Sequence, residues 1–407
     1  MLLKTADRWK TVKLSSIFIE NKTKNSNFSI SRAFQFYFGT IVPKKEYELT
    51  NDLIETYKKY TIIKKGDIVI NGLNLNYDFV TQRVGFVEEE GIMTSAYIAI
   101  RPRIELNNKY YCYFFKTLDA HKMFHGMGSG IRLTLSYDDL KSYPLPVPPL
   151  SEQNQIVKFL DWKISKINKL ISLREQQISE LGELKKAIIN KAVTKGDWKR
   201  VRLKNVAILN PSCSYHGLKP EDEVTFAPME CIRTDERIEK IATLKNNNSS
   251  YSSFNEGDIA LAKVTPCFQN RNVCLMTNLT NGYAFGSSEL FNIRVKNIYS
   301  RFLIYYFMTS NFINGGIASM TGVAGLKRVS SEYVRNSLVS LPSIVEQHVI
   351  TDYLDKKCAQ IDTLITNYEK QISEFNELKT RLISDTVTGK IDVREIKIPN
   401  ETGEEND

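Results

Sequence analysis

Two long stretches of the chain space their apolar residues three and four positions apart, which is the pattern of an amphipathic helix. They cover residues 151–196 and 344–390. The apolar stripe of each stretch also has the spacing of a coiled-coil seam. The predicted seam residues are Ile164, Ile167, Ile171, Ile178 and Leu181 in the first stretch, and Ile361, Ile365, Tyr368, Ile372 and Phe375 in the second.

The two predicted helices are copies of one another. Residues 152–161 align with residues 346–355, and the register continues without a gap to residues 194 and 388. Roughly half of the aligned positions are identical, which indicates an internal duplication. A helix of about 43 residues needs a partner for its apolar stripe, and the obvious partner is the other copy. Because the second helix begins where the segment after the first helix ends, we expect an antiparallel pair.

The segments ahead of the helices, residues 1–150 and 197–343, contain short apolar or alternating runs that predict strands. Aromatic-rich stretches at residues 110–123 and 301–312 predict one helix in each segment. Each segment also has a Gly-Asp-Ile turn, at Gly66 and Gly257, that leads into a strand. We therefore predict an α+β fold, in which two similar domains are joined by two long helices that form an antiparallel coiled coil. The tail, residues 391–407, is predicted to be disordered.

The composition limits which classes of protein the chain can belong to. The chain has 407 residues, a formal net charge of +9 and six cysteines, which are scattered without metal-site spacing. No apolar run approaches the roughly 20 residues of a membrane span, so we expect a cytoplasmic protein with reduced thiols. The positive charge favours a polyanionic partner, although charge alone would also suit a ribosomal or membrane-surface protein.

The search for catalytic motifs finds little. There is no phosphate-binding loop of the GxxxxGK[ST] type, and the glycines at residues 126–130 lack the spacing of a dinucleotide site. The turn at Asn210 lacks the second proline and the aromatic residue of an adenine methyltransferase motif. His121 and His125 stand four residues apart, but no third metal ligand is evident. We therefore predict neither a catalytic nor a metal site.

Nucleic-acid contacts are better supported by the pattern of cations. Glycine-rich loops with basic residues precede each long helix, at residues 126–132 and 321–328. Such loops let the backbone approach a phosphate that Arg or Lys neutralises, although each cation could equally serve only to keep the surface soluble. The candidate DNA-contacting residues are Lys64, Lys65, Arg83, Arg132, Lys263, Arg271, Lys327 and Arg328.

The order of domain, long helix, domain and long helix resembles the specificity subunit of type I restriction-modification systems over nearly the whole chain. The motifs that carry the resemblance are LPVPPLSEQ at residues 145–153 and its second copy LPSIVEQ at residues 341–347. The domain starts at Trp9 and Trp198 and the paired Gly-Asp-Ile turns agree with it. The second junction departs from the first by having one proline in place of three.

The resemblance implies a function for each part of the chain. Residues 1–150 and 197–343 would be target-recognition domains that each read one half of a split site in double-stranded DNA. The helices would set the spacing and bind two methyltransferase subunits, which use S-adenosylmethionine. Two restriction subunits would use ATP and magnesium, so this chain would need no cofactor of its own. The alternatives are a self-sufficient nuclease or methyltransferase, and a coiled-coil scaffold that does not read DNA.

Overall fold

The computed structural model describes residues 3–45, 48–77, 82–131, 133–215, 217–322 and 325–399. The chain divides into two units, of which the first comprises Met1–Arg174 and Lys370–Asp407 and the second comprises Glu175–Glu369. Each unit thus combines one β-rich domain with part of each long helix.

The domain of the first unit is built from short strands. They are β1 (Lys10–Lys13), β2 (Phe18–Glu20), β3 (Phe34–Tyr37), β4 (Thr40–Pro43), β5 (Thr61–Ile63), β6 (Ile68–Ile70), β7 (Val84–Phe86), β8 (Gly91–Met93), β9 (Ile98–Pro102) and β10 (Pro144–Val147). Its helices are α1 (Leu14–Ile17), α2 (Asn51–Lys58), α3 (Asn108–Ala120) and α4 (Tyr137–Leu140), and they are followed by the long helix α5 (Leu150–Thr194).

The domain of the second unit follows α5. Its strands are β11 (Arg200–Arg202), β12 (Ala207–Leu209), β13 (Glu223–Ala227), β14 (Ile232–Arg233), β15 (Glu236–Arg237), β16 (Ile241–Thr243), β17 (Ser252–Asn255), β18 (Ile259–Ala262), β19 (Val273–Leu275), β20 (Tyr283–Gly286), β21 (Leu290–Val295) and β22 (Leu338–Ser340). Its helices are α6 (Ser300–Phe307), α7 (Ser310–Ala318) and α8 (Ser331–Asn336), and they are followed by the long helix α9 (Ile344–Val387).

The two domains share one sheet topology. The first has a four-stranded antiparallel sheet in the order β2-β9-β6-β7, and the second has one in the order β12-β21-β18-β19. In each domain a separate pair, β1-β10 or β11-β22, joins the start of the domain to its end. The predicted α+β class, with its two similar domains, is therefore confirmed.

Each four-stranded sheet separates two hydrophobic cores. Successive strand residues point to opposite faces, so Ile68 packs with the aromatic residues of α3 while Val69 joins the core on the other face. In the second unit Ile259 packs with α6, whereas Ala260 lies in the opposite core. The uninterrupted apolar runs of β6 and β18 are explained by this burial on both faces.

The Gly-Asp-Ile turns lie at matching places beside these sheets. Gly66 and Gly257 have φ angles of 92° and 84°, a left-handed conformation that favours glycine. The carboxylate of Asp67 accepts two hydrogen bonds from the guanidinium of Arg101, each at 2.7 Å. Asp258 accepts the same pair from Arg294, also at 2.7 Å. These hydrogen bonds raise the pKa of both arginines.

The long helices run antiparallel, as predicted. In the first unit Arg174 donates to Gln371 at 2.8 Å, and Lys379 donates to Asn168 at 3.2 Å. An earlier residue of α5 therefore meets a later residue of α9. In the second unit the end of α5 and the start of α9 share one core, to which Ile189, Val193, Leu354 and Cys358 contribute.

Two predictions about local structure are wrong. The single helix expected over residues 301–312 is divided into α6 and α7, because the side chain of Thr309 accepts a hydrogen bond from the Phe312 N–H and caps a new helix. The tail is not disordered over residues 391–399. Val393 is 1% exposed in the first core, and Gln155 donates to the Val393 and Ile396 carbonyls at 3.0 and 2.8 Å. Residues 400–407 lie outside the described part.

Candidate functional site

The domain of the first unit is held to the start of α5 by polar contacts of Gln153 and Asp161. The Gln153 side chain is 2% exposed, accepts a hydrogen bond from the Asn107 N–H at 2.9 Å and donates to the Pro148 carbonyl at 2.8 Å. Eight residues later, Asp161 accepts from the Tyr113 hydroxyl at 2.7 Å and pairs with Lys109 at 2.8 Å. Burial, together with the hydrogen bond to Asp161, raises the pKa of Tyr113.

The second unit repeats this arrangement at the start of α9. The Gln347 side chain is 1% exposed, accepts from the Tyr299 N–H at 2.7 Å and donates to the Pro342 carbonyl at 2.9 Å. Asp355 accepts from the Tyr305 hydroxyl at 2.6 Å and from the Arg301 guanidinium at 2.6 and 2.8 Å. The guanidinium of Arg301 also pairs with Asp235. We call these two sets of contacts the helix anchors.

The helix anchors were missed from the sequence, although a signal for them exists. The repeat contains Asp161 and Asp355 at matching positions, but the residues that contact them lie in the preceding domains. Lys109 and Tyr113 are four residues apart, as are Arg301 and Tyr305. Extending the alignment from the long helices into the aromatic helices α3 and α6 would have revealed the correspondence.

The candidate cations of the first unit have different environments. Lys64 and Lys65 are exposed in the turn before β6, and the Lys64 ammonium lies 3.9 Å from Glu90. Arg83, by contrast, is 2% exposed, and its guanidinium donates to the Asn71 and Leu73 carbonyls at 3.0 and 2.7 Å. Arg83 is therefore a weaker candidate for a DNA contact than Lys64, because burial directs its side chain to the protein's own loop. Arg132 lies outside the described residues.

Three candidate cations of the second unit lie near one another. The backbone N–H of Lys263 donates to the Glu289 carbonyl at 3.0 Å, and the Lys263 carbonyl accepts from Val329 at 2.8 Å. Next to these backbone hydrogen bonds, the Arg328 guanidinium donates to both carboxylate oxygens of Glu289, at 2.6 and 2.8 Å. These hydrogen bonds lower the pKa of Glu289. Lys327 is exposed. These cations and one carboxylate form a charged surface next to β18.

Arg271 is engaged within the second unit. Its Nε donates to the Met308 carbonyl at 2.9 Å, and burial lowers the pKa of the guanidinium. A partly buried arginine with a backbone partner is a weaker candidate for a DNA contact than the exposed Lys327.

A polar cleft in the second unit was not found from the sequence. It measures about 660 Å³, and its lining includes Asn247, Ser250, Tyr251, Lys263 and Asn292. The available signal was the run NNNSSYSS at residues 246–253. Amide and hydroxyl groups both donate and accept hydrogen bonds, as the edges of DNA bases require. The cleft is therefore a candidate surface for contact with bases.

The ten predicted seam residues are all buried or half-buried. Ile167 in the first unit and Ile361 in the second are 7% and 6% exposed. Within the described ranges, no group of three or more His, Cys, Asp and Glu side chains could hold a metal ion, and His121 lies 3.1 Å from the Ser384 hydroxyl. The helices of the same ranges include none that is long and apolar enough to cross a membrane.

Comparison with known proteins gives consistent similarities. Residues 6–181 match the family described as "Type I restriction modification DNA specificity domain". The EcoAI specificity subunit of Escherichia coli is 31% identical over 204 residues, which are 49% of this chain and 34% of that protein. The MjaVIII specificity subunit of Methanocaldococcus jannaschii is 21% identical over 425 positions, with 97% of this chain and 95% of that protein covered.

Two solved structures share the fold. A chain from a structural study of complex assembly in the type I R-M system has a TM-score of 0.74 and 16% identity, and covers 95% of this chain and 100% of its own length. The HsdS subunit from Thermoanaerobacter tengcongensis has a TM-score of 0.53 and 15% identity, with 95% and 98% covered. The matched region spans about a third of the EcoAI subunit and of its relative EcoEI, at 34% of each.

Proposed function

We propose that this chain belongs to the type I restriction-modification DNA specificity family, whose model residues 6–181 match, and that it is the specificity subunit of such a complex. In this role it binds a bipartite, asymmetric site in double-stranded DNA and brings the modification and restriction subunits to that site. It acts in the cytoplasm and has no active site of its own.

The observation that carries the proposal is the duplicated module with a diverged exterior. Both units contain the same four-stranded sheet and the same helix anchor, yet their outer strands differ. A conserved frame with different outward surfaces suits two recognition domains that meet similarly placed but unlike half-sites on a duplex. The net charge of +9 supports a polyanionic ligand.

Exposed apolar residues on the long helices support partner subunits. On α9 Val345, Val349 and Tyr353 stand four residues apart and are 70, 64 and 49% exposed. Such a stripe on one face of a helix is typical of a surface that another protein covers. We propose that two methyltransferase subunits bind the helices and use S-adenosylmethionine to methylate adenine N6. Two restriction subunits complete the complex and use ATP and magnesium.

The test is a map of N6-methyladenine across the genome of cells that express this chain with its methyltransferase partner. The matched control lacks only this chain. We expect a split, asymmetric motif that disappears in the control. Methylation that persists unchanged in the control would contradict the proposal.

The second candidate is a coiled-coil scaffold that does not read DNA. The anchored helix pair would serve that role equally well, so DNA binding discriminates between the two functions. Failure of the assembled complex to bind duplex DNA even at low salt, where phosphate contacts are strongest, would favour the scaffold.

A further inference from the structure

Matching positions of the two long helices carry different charges in the two units. Lys379 and Asn168 of the first unit align with Lys185 and Asp362 of the second. The Lys185 ammonium donates to both oxygens of Asp362 at 2.7 Å, whereas the Lys379 ammonium donates to the Asn168 amide oxygen at 3.2 Å. The aspartate neutralises its lysine, but the uncharged amide does not.

Lys379 lies in a cleft of the first unit that holds further cations. The cleft measures about 550 Å³ and is also lined by Lys116 of α3, by Lys122 and by Phe38. Among its described lining residues, Asp119 has the only carboxylate, which is 6% exposed and accepts a hydrogen bond from the Arg83 N–H at 2.7 Å. The one carboxylate of the described lining is thus buried and engaged by the protein backbone.

Lys116 and Lys379 of this cleft are not neutralised by a carboxylate among the described residues. No carboxylate of the described residues forms an ion pair with Lys116 or Lys379. Burial, and in addition the positive charge of Lys116, lowers the pKa of Lys379. Two cations that repel one another in a partly desolvated cleft attract an anion, because the anion relieves both the repulsion and the lost hydration.

Exposed aromatic rings stand beside these cations. Tyr37 and Phe38, at the tip of the β3–β4 hairpin, are 59 and 58% exposed, and their ring centres are 4.7 Å apart. The φ angle of Phe38 is 43°, a conformation that non-glycine residues rarely adopt. Lysines that neutralise phosphates, next to rings that contact sugars or bases, form a typical nucleic-acid surface, so a DNA strand fits better than an acidic peptide.

We infer that this cleft of the first unit binds a backbone phosphate of the DNA through Lys116 and Lys379. The second unit has no such contact at the matching described residues, because Asp362 occupies Lys185. The inference rests on the proposed function and adds to it a phosphate contact that belongs to one half of the duplicated chain.

The test transplants the acidic residue of the second unit into the first. Asn168→Asp should pair with Lys379 and weaken DNA binding by the assembled complex of this chain and its methyltransferase partner. The plot of log K against log salt should become less steep by about one, the value for one lost phosphate contact. Sequence preference should stay unchanged. Lys116→Gln and Lys379→Gln should act in the same direction.

Lys185→Gln is the matched control, since it changes the net charge by the same amount at the position that Asp362 already neutralises. Its salt slope should equal that of the unaltered complex. A full slope in Asn168→Asp, or an equal fall in Lys185→Gln, would overturn the inference. Altered sequence preference in Asn168→Asp would also overturn it, since that result indicates base contact.

Two further measurements separate other anions from DNA. The first measures the binding of inorganic phosphate. If Lys379→Gln abolishes that binding while Asn168→Asp keeps the full salt slope of DNA binding, the cleft binds free phosphate and the inference fails. If Asn168→Asp weakens assembly with the methyltransferase in the absence of DNA, the ligand is an acidic protein surface and the inference also fails. An unchanged melting temperature shows that each variant folds. Absence of any sequence-selective binding by the unaltered complex contradicts the proposed function itself.

Discussion

The two units keep the same interior frame and differ at their outer edges. In the first, β3 and β4 form a hairpin that projects two aromatic rings, and β5 forms a two-stranded sheet with β8. In the second, the corresponding region is a four-stranded mixed sheet, in the order β16-β13-β20-β17, beside a polar cleft. The contacts that anchor each domain to a helix are thus repeated in both units, whereas the residues that face outward are not. The difference shows that the attachment of each domain to its helix is repeated while its outward surface varies.

The starts of the two long helices differ in a second way. Glu152 is 6% exposed and accepts hydrogen bonds from Trp9 at 3.0 Å and Arg8 at 2.6 Å. Its counterpart Glu346 is exposed and accepts from the N–H and hydroxyl of Ser343, and these hydrogen bonds, with a smaller effect of the Trp198 side chain, lower its pKa. The same repeat position is therefore buried in one unit, whereas in the other it is exposed and also caps its own helix.

The largest effect is expected from shortening the two long helices, each of which has a part in both units. Removing seven residues from α5 within residues 157–193, and the matching seven from α9, keeps the seam in phase and shortens each helix by about 10 Å. We expect the spacer of the methylated motif to shorten by about three base pairs. Motif mapping measures it, and an unchanged spacer length would count against a role of the helices in spacing.

Removing one helix anchor should destabilise only the unit that contains it. Gln347→Ala leaves the Tyr299 N–H and the Pro342 carbonyl without these partners, at a cost of about 2–4 kcal/mol. Gln153→Ala should do the same in the first unit. Hydrogen exchange should rise in α6 for the first variant and in α3 for the second. The conservative variant Gln347→Glu keeps the acceptor and should lose less. Equal loss in both units from either variant would show that the anchors do not act locally.

The two carboxylates of the helix anchors should contribute different amounts to the free energy of unfolding. Asp355→Asn weakens contacts to Arg301 and Tyr305, and we expect a cost of about 2–3 kcal/mol in the second unit. Asp161→Asn weakens contacts to Tyr113 and the single ammonium of Lys109, and about 1 kcal/mol should be lost. Comparing the denaturation midpoints of the two variants measures this order. A larger loss for Asp161→Asn would reverse it.

The smallest effect is expected at the charged surface of the second unit. Arg328→Gln removes an exposed pair with Glu289 and should shift the denaturation midpoint only slightly at pH 7. Because Arg328 lowers the pKa of Glu289 in the folded state, the stabilisation is present above the unfolded pKa and disappears as pH falls through the folded pKa. The denaturation midpoint of Arg328→Gln should therefore differ slightly from that of the unaltered chain at pH 7, and the two midpoints should agree at pH 3. A gap that widens on acidification would contradict this assignment.

The sequence was a good guide to elements but a poor guide to side-chain environments. The strands at Ile68 and Ile259 follow from uninterrupted apolar runs, and the helix pair follows from its periodicity and duplication. Arg83 and Lys64 are equivalent in sequence terms, since both are basic residues of the same predicted domain. Only the folded chain shows that Arg83 is buried against its own loop carbonyls while Lys64 is exposed. The break at Thr309 was missed because a capping hydrogen bond competes with helix propensity at a single residue.

The sequence by itself determined that this protein has two related α+β domains and two long antiparallel helices, because apolar periodicity and internal repetition are properties of the chain taken in order. Only the tertiary structure decided how each charged group is used. Asp161 anchors a domain and Asp362 neutralises Lys185, whereas Lys379 has no carboxylate partner among the described residues. The physical reason is that the energy of a charge depends on burial and on partners that are tens to hundreds of residues away in the chain, and these are brought together only by folding.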